Sequence, residues 1–228
     1  MRTLKILLIA GAASVGFGGA ALAADGPAIS FNLGAASDYV FRGVSQTDGA
    51  GQVFGGADAS LGSAYAGAWL SNVDFNNGTN MEYDLYAGFK PQAGPVALDV
   101  GLVYYGYTNK PAGGDEAYWE AKVAGSVPVG KGSLGAAVYY SPEFFGETGE
   151  ATYYEINASA PLTEKASVSG AIGHQSVVGP ADYNTWNLGV GYALTPKLGV
   201  DLRYWDTSEH GFGQIYNSRV ALSLKTTF

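Results

Sequence analysis

Asp38 and Arg42 lie four residues apart, and Asp201 and Arg203 lie two apart, each pair inside a stretch that otherwise reads as apolar strand. At those spacings both members of a pair point to the same side of a strand, where opposite charges can pair or line a watery passage. Asp58, Glu82, Asp84, Lys90, Asp99, Glu120, Lys122, Glu155, Arg219 and Lys225 sit in alternating segments in the same way. The chemistry such a set supports is electrostatic, the steering and selection of ions along a lumen. Pairing with acids on neighbouring strands, such as Asp58, Glu82 or Asp84, would instead make Arg42 a filler of the interior.

One other arrangement could do covalent chemistry. His174-Gln175-Ser176 puts a histidine and a serine on one strand face, the apolar one, beside a long polar connection. A serine nucleophile needs a base within hydrogen-bond reach and a third group to orient that base. The His-x-Ser spacing resembles outer-membrane phospholipase A, but Val177-Val178 stand where that family has Asn-Gly after the serine. A phospholipase using His174 and Ser176 therefore ranks last among the readings, and no catalytic residue is assigned. His174 and His210 are isolated, there is no cysteine, and no HExxH spacing occurs, so no metal site is expected. No Gly-rich loop opens a helix, so no cofactor is expected either.

The elements that carry these residues have a period of two. In "MEYDLYAGFK", Met81, Tyr83, Leu85, Ala87 and Phe89 alternate with Glu82, Asp84, Tyr86, Gly88 and Lys90. Twelve such segments are predicted, at 29–42, 52–61, 64–73, 81–90, 95–107, 117–127, 133–141, 151–160, 166–175, 185–193, 198–205 and 217–228. In the third, Trp69 and Leu70 compete for the apolar face. Short turns such as Gly62-Ser63 and "GKG" from Gly130 alternate with longer polar connections such as "VSQTDGAG" and "DTSEHGFGQI". These connections are too short to favour a long constriction loop folded inward.

Arg2 and Lys5, an apolar run from Ile6, and the small-x-small triplet Ala21-Leu22-Ala23 form the pattern of a secretory signal peptide, with cleavage expected after Ala23. Residues 24–228 then make one domain. The whole chain carries a net charge of −8, and its first segment holds two bases and no acid, so the remainder is more acidic still and unsuited to nucleic acid. An exported chain without cysteine must be held by a large core or a closed sheet.

A soluble sandwich also alternates, so the stripes alone do not decide. The apolar stripes are tall enough for the ~25 Å lipid-facing band of a transmembrane barrel. Aromatics end them: Tyr39, Phe41, Tyr104, Trp119, Tyr140, Tyr154, Trp186 and Tyr204 near the long loops, with Phe89, Tyr192 and Phe228 near the short turns. The strand number is even, as in bacterial barrels closed to satisfy every backbone group. The expected fold is all-β, a single closed antiparallel transmembrane β-barrel of about twelve strands with both termini periplasmic. In it Ile29, Phe31, Leu33, Tyr39 and Phe41 face lipid, while Asp38 and Arg42 face water.

"SDYVFRGVSQT" from Ser37, followed by "YAGAWLSNVDF" from Tyr65 and "EYDLYAGF" from Glu82, resembles the TorF family of proteobacterial outer-membrane porins across nearly the whole chain after residue 23. The resemblance implies a pore in the outer membrane of a Gram-negative cell. The expected function is passive diffusion of small hydrophilic solutes or ions, with a non-conducting structural or adhesive barrel as the alternative. A mild cation preference is expected, because the long loops hold Asp48, Asp74, Asp115, Glu116, Glu143, Glu147, Glu150, Asp182, Asp206 and Glu209 against Lys110 alone. Those carboxylates could equally bridge to surface lipid through divalent ions. Expected partners are outer-membrane lipid and lipopolysaccharide, small solutes, and the barrel-assembly machinery, which would read the last strand ending in Phe228.

Overall fold

The computed structural model describes residues 26–111 and 115–228. The expected signal peptide, residues 1–23, lies outside the described residues.

Twelve long strands run antiparallel in chain order: β1 (Ala28–Ala36), β4 (Gln52–Leu61), β5 (Ala64–Asn72), β6 (Met81–Phe89), β8 (Val96–Thr108), β9 (Tyr118–Val129), β10 (Gly132–Ser141), β11 (Ala151–Pro161), β12 (Ala166–Val177), β13 (Tyr183–Ala193), β14 (Leu198–Thr207) and β15 (Arg219–Thr227). Each pairs with its chain neighbours, and β1 pairs with β15, so the sheet closes on itself. A two-residue strand β7 (Gln92–Ala93) widens the turn before β8, and β2 (Val40–Phe41) and β3 (Val44–Ser45) form a separate hairpin.

Every spanning strand places a large aliphatic side chain on the outer wall: Leu33, Val53, Leu70, Leu85, Leu102, Val123, Val138, Ile156, Ile172, Leu188, Leu202 and Leu222 are all exposed. A soluble protein hides such residues, whereas a continuous apolar belt around a closed sheet is a surface built for lipid. Trp119, Tyr140, Tyr154, Trp186 and Tyr204 are exposed on the same wall toward the long loops, with Tyr104 half-buried among them. Tyr104 and Trp119 pack with ring centroids 4.9 Å apart.

At the opposite end the turns are tight. Gly62, Gly94 and Gly130 each open a two-residue connection at φ +60°, a conformation that suits glycine. Both the start of β1 and the end of β15 lie at this end, since Ala28 pairs with Ser60 and Thr227 with Asn32.

Two expectations are corrected. The first strand does not continue to residue 42 but ends at Ala36, and the chain then turns into the barrel. Tyr39 is consequently buried and Phe41 packs inside, so neither faces lipid. The loop lengths, which argue against a long constriction loop folded inward, are misleading for the same reason, since the connection after β1 does enter the barrel. Trp69 points inward as well, against Tyr39 at 5.4 Å and Phe54 at 6.0 Å, which leaves Leu70 on the outer wall.

Candidate functional site

The inward segment begins where Ser37 and Leu222 exchange two hydrogen bonds, Ser37 N–H to the Leu222 carbonyl at 2.9 Å and Leu222 N–H to Ser37 Oγ at 3.0 Å. Val40 pairs with Ser45 and Phe41 with Val44, with Arg42 and Gly43 between them at φ +49° and +86°. Two successive left-handed residues are the signature of the tightest hairpin turn. Glycine is required at the second, because a Cβ on Gly43 would collide with Thr185 Oγ1 and Thr207 Cγ2 on the barrel wall.

Asp38 holds the base of the hairpin. Its Oδ1 accepts from Ser45 Oγ at 2.6 Å and Thr47 Oγ1 at 3.0 Å, and its Oδ2 accepts from Arg219 Nη1 at 2.8 Å. Tyr39 donates its hydroxyl to Glu82 at 2.8 Å. Burial first, and the Glu82 carboxylate second, hold the Tyr39 phenol well above its usual pKa, so it stays a neutral donor.

Arg42, at the tip, is 2% exposed. It meets Glu120 with two prongs, Nη1 to Oε1 at 2.7 Å and Nη2 to Oε2 at 2.6 Å, and Nη1 also donates to Gln175 Oε1 at 3.0 Å. Phe41, Tyr139 and Tyr153 surround the guanidinium with ring centroids 4.4–4.9 Å from its carbon. Planar forks of this kind are what arginine supplies and lysine cannot. The hairpin thus forms a bar across the lumen, pinned to β9 and β12 at its tip and to β15 at its base.

Above the bar, toward the long loops, lies a cavity of about 450 Å³ bordered by Phe41, Glu82, Tyr105, Tyr118, Phe145 and Tyr183, among others. Below it the inner face is polar and paired. Lys122 donates to Asp99 at 2.6 Å, and Tyr65 donates to the same carboxylate at 2.7 Å. Tyr86 donates to Asp58 at 2.5 Å. Arg203 meets both oxygens of Asp201 at 3.0 Å and reaches Asn187 at 2.6 Å and Ser169 Oγ at 2.8 Å. Glu155 accepts from Asn157 at 2.9 Å and from Tyr153 at 3.1 Å.

Asp58, Glu82, Asp84, Asp99, Glu120, Lys122, Glu155, Asp201, Arg203, Arg219 and Lys225 all share the inward register of their strands, and Lys90 turns in over the Tyr65 ring. Asp38 and Arg42 are inside as well, carried by the hairpin rather than by a strand. They do not pair with each other, nor does Arg42 pair with Asp58, Glu82 or Asp84. Arg203 and Asp201 do pair. Gln175, Tyr139 and Tyr153 complete the arginine site and were not singled out from the sequence, since an inward glutamine or tyrosine looks like any other residue of the polar stripe.

His174 and Ser176 stand on the outer face, but the hydroxyl of Ser176 donates to Asp182 at 3.4 Å and His174 Nδ1 meets Asn184 at 3.0 Å. His174 Nε2 also lies 3.9 Å from the Asp182 oxygen that Ser176 approaches, so the two side chains share an acid, but no hydrogen bond joins the serine to the histidine as a nucleophile and its base require. Among the described residues no group of three His, Asp or Glu side chains is placed to hold a metal ion.

The family model described as a bacterial protein of unknown function, Gcw_chp, matches residues 20–228. No curated protein matches the sequence. Solved barrels share the fold. The KdgM porin superposes with a TM-score of 0.61 at 9% identity, covering 87% of this chain and 99% of its own. A second KdgM structure, in complex with disordered oligogalacturonate, gives 0.59 at 10% identity, covering 88% of this chain and 98% of its own. The NanC porin gives 0.55 at 10% identity, covering 88% of this chain and 98% of its own.

Proposed function

We propose that this chain, which belongs to the Gcw_chp family, is a channel of the Gram-negative outer membrane that its own first loop holds shut. The observation that carries this reading is the hairpin barring the lumen of a barrel with an apolar outer belt and a charged inner face. The fold it shares with solved porins adds support. Small hydrophilic solutes or ions pass when the hairpin leaves the lumen, with a mild cation preference set by the acidic loops. The short turns and both ends of the sheet then face the periplasm, and the long loops face outward. Export by a leader ending near Ala23, contact of the loops with lipopolysaccharide, and recognition of the last strand by the assembly machinery belong to the same reading.

The filled lumen favours a second reading, a structural barrel that does not conduct. Planar-bilayer recording separates the two. Wild type should open rarely, and Arg42→Ala should raise the open fraction, with a reversal potential in a salt gradient that favours cations. A silent Arg42→Ala barrel, shown folded by its gel mobility, would support the structural barrel; an anion-selective one would refute the cation preference.

A further inference from the structure

The cavity above the bar has a consistent chemistry. Phe75, Tyr105, Tyr107, Tyr118, Phe144 and Phe145 line it. They hold one another in place: Tyr105 stacks on Tyr118 at 4.5 Å, Phe144 meets Tyr118 edge-on at 4.8 Å, and Phe145 meets Phe75 edge-on at 5.3 Å. Tyr183 and Tyr216, packed edge to face at 5.4 Å, also border it. The ionisable groups among its described lining are Glu82, Asp74 and the tyrosines, with no lysine, arginine or histidine. The guanidinium of Arg42 lies near, over the Phe41 ring, and both its prongs are engaged by Glu120.

Ring faces carry negative charge and attract a cation, most strongly where water is displaced. An anion here would meet carboxylates with no basic residue in the lining to answer it. A bare metal ion would find too few oxygen ligands among the rings. An alkylated ammonium satisfies both features, its methyl groups against the rings and its charge toward the carboxylates. At about 450 Å³ the cavity is large enough for a small organic molecule.

We propose that this aromatic vestibule binds small alkylated ammonium cations. The proposal deepens the channel reading by naming a solute class, but binding is read without voltage or current, so either can fail while the other stands. Choline and its neutral carbon isostere, 3,3-dimethylbutan-1-ol, would be titrated by calorimetry into the folded full chain in a maltoside detergent, which carries no competing headgroup. Choline should bind about tenfold more tightly than the isostere, the ratio that about 1.4 kcal/mol of cation–ring attraction gives. Phe75→Leu with Phe145→Leu keeps apolar bulk but removes two rings, and should abolish most of that preference. Should the double variant not fold, Phe145→Leu alone should reduce the preference. Equal binding of the two probes, no binding of choline, or a preference that survives loss of the rings would overturn the proposal.

Discussion

Arg42 and Glu120 are 78 residues apart in sequence, yet they meet through two hydrogen bonds of 2.7 and 2.6 Å with both side chains almost wholly shielded from solvent. One comes from the tip of a hairpin and the other from the barrel wall, so their contact joins a separable piece to the cylinder. Breaking such a pair on one side leaves a shielded charge without its counterpart, which is costlier than removing both.

The pair should therefore be strongly coupled. Glu120→Gln alone is expected to destabilise the folded barrel by about 3 kcal/mol, whereas Arg42→Met with Glu120→Gln should recover a substantial part of that loss. Urea unfolding in detergent across the full double-mutant cycle reads the coupling, and additive effects would show that the contact is energetically empty.

Gly43 is expected to hold the bar in position. Alanine there meets Thr185 and Thr207 and must adopt φ +86°, so Gly43→Ala should push the hairpin out of its seat. Trypsin reports the change directly. Wild type should resist cleavage after Arg42, and Gly43→Ala should be cut there while the twelve strands remain intact.

The outer wall makes its own prediction. Leu188 sits midway along β13 and is 61% exposed. Leu188→Arg should cost about 2–4 kcal/mol in lipid bilayers, the price of a charge at the midplane. The same substitution in a water-facing sheet would be nearly neutral, so refolding equilibria in bilayers test the assignment of this wall.

Small residues on the inner face make room for rings. A Cβ on Gly67 would run into the ring and hydroxyl of Tyr86, whose O–H is donated to Asp58. Gly67→Val should displace Tyr86, lose that hydrogen bond and destabilise the barrel by about 1–3 kcal/mol. Tyr86→Ala combined with Gly67→Val should relieve part of the strain, again measured by urea unfolding.

The barrel was legible because its two environments, lipid and lumen, impose a period of two on every strand. The alternation in "MEYDLYAGFK" gives the inward register of Glu82 and Asp84 directly. The hairpin was not legible for a related reason. Tyr39, Phe41, Asp38 and Arg42 continue the alternation past Ala36, but both faces of the hairpin are wrapped by lumen side chains, so its pattern mimics a spanning strand. The available signal was "VFRGVS", in which a glycine-containing pair divides two short segments that each begin with valine, as a two-residue hairpin allows. Trp69 was ambiguous because a large inward ring needs a partner from elsewhere, and here Tyr39 and Phe54 provide it. Nothing local marks Phe75 as a neighbour of Phe144 and Phe145, since two separate connections, β5–β6 and β10–β11, bring them together with the wall tyrosines.

The tie between Asp38 and Arg219 spans 181 residues, from just after the first strand to the beginning of the last. Such a latch has no second half until β15 has been made and laid beside β1. The basal latch of the stopper and the seam of the cylinder therefore share one strand, and the latch is complete only when the seam is.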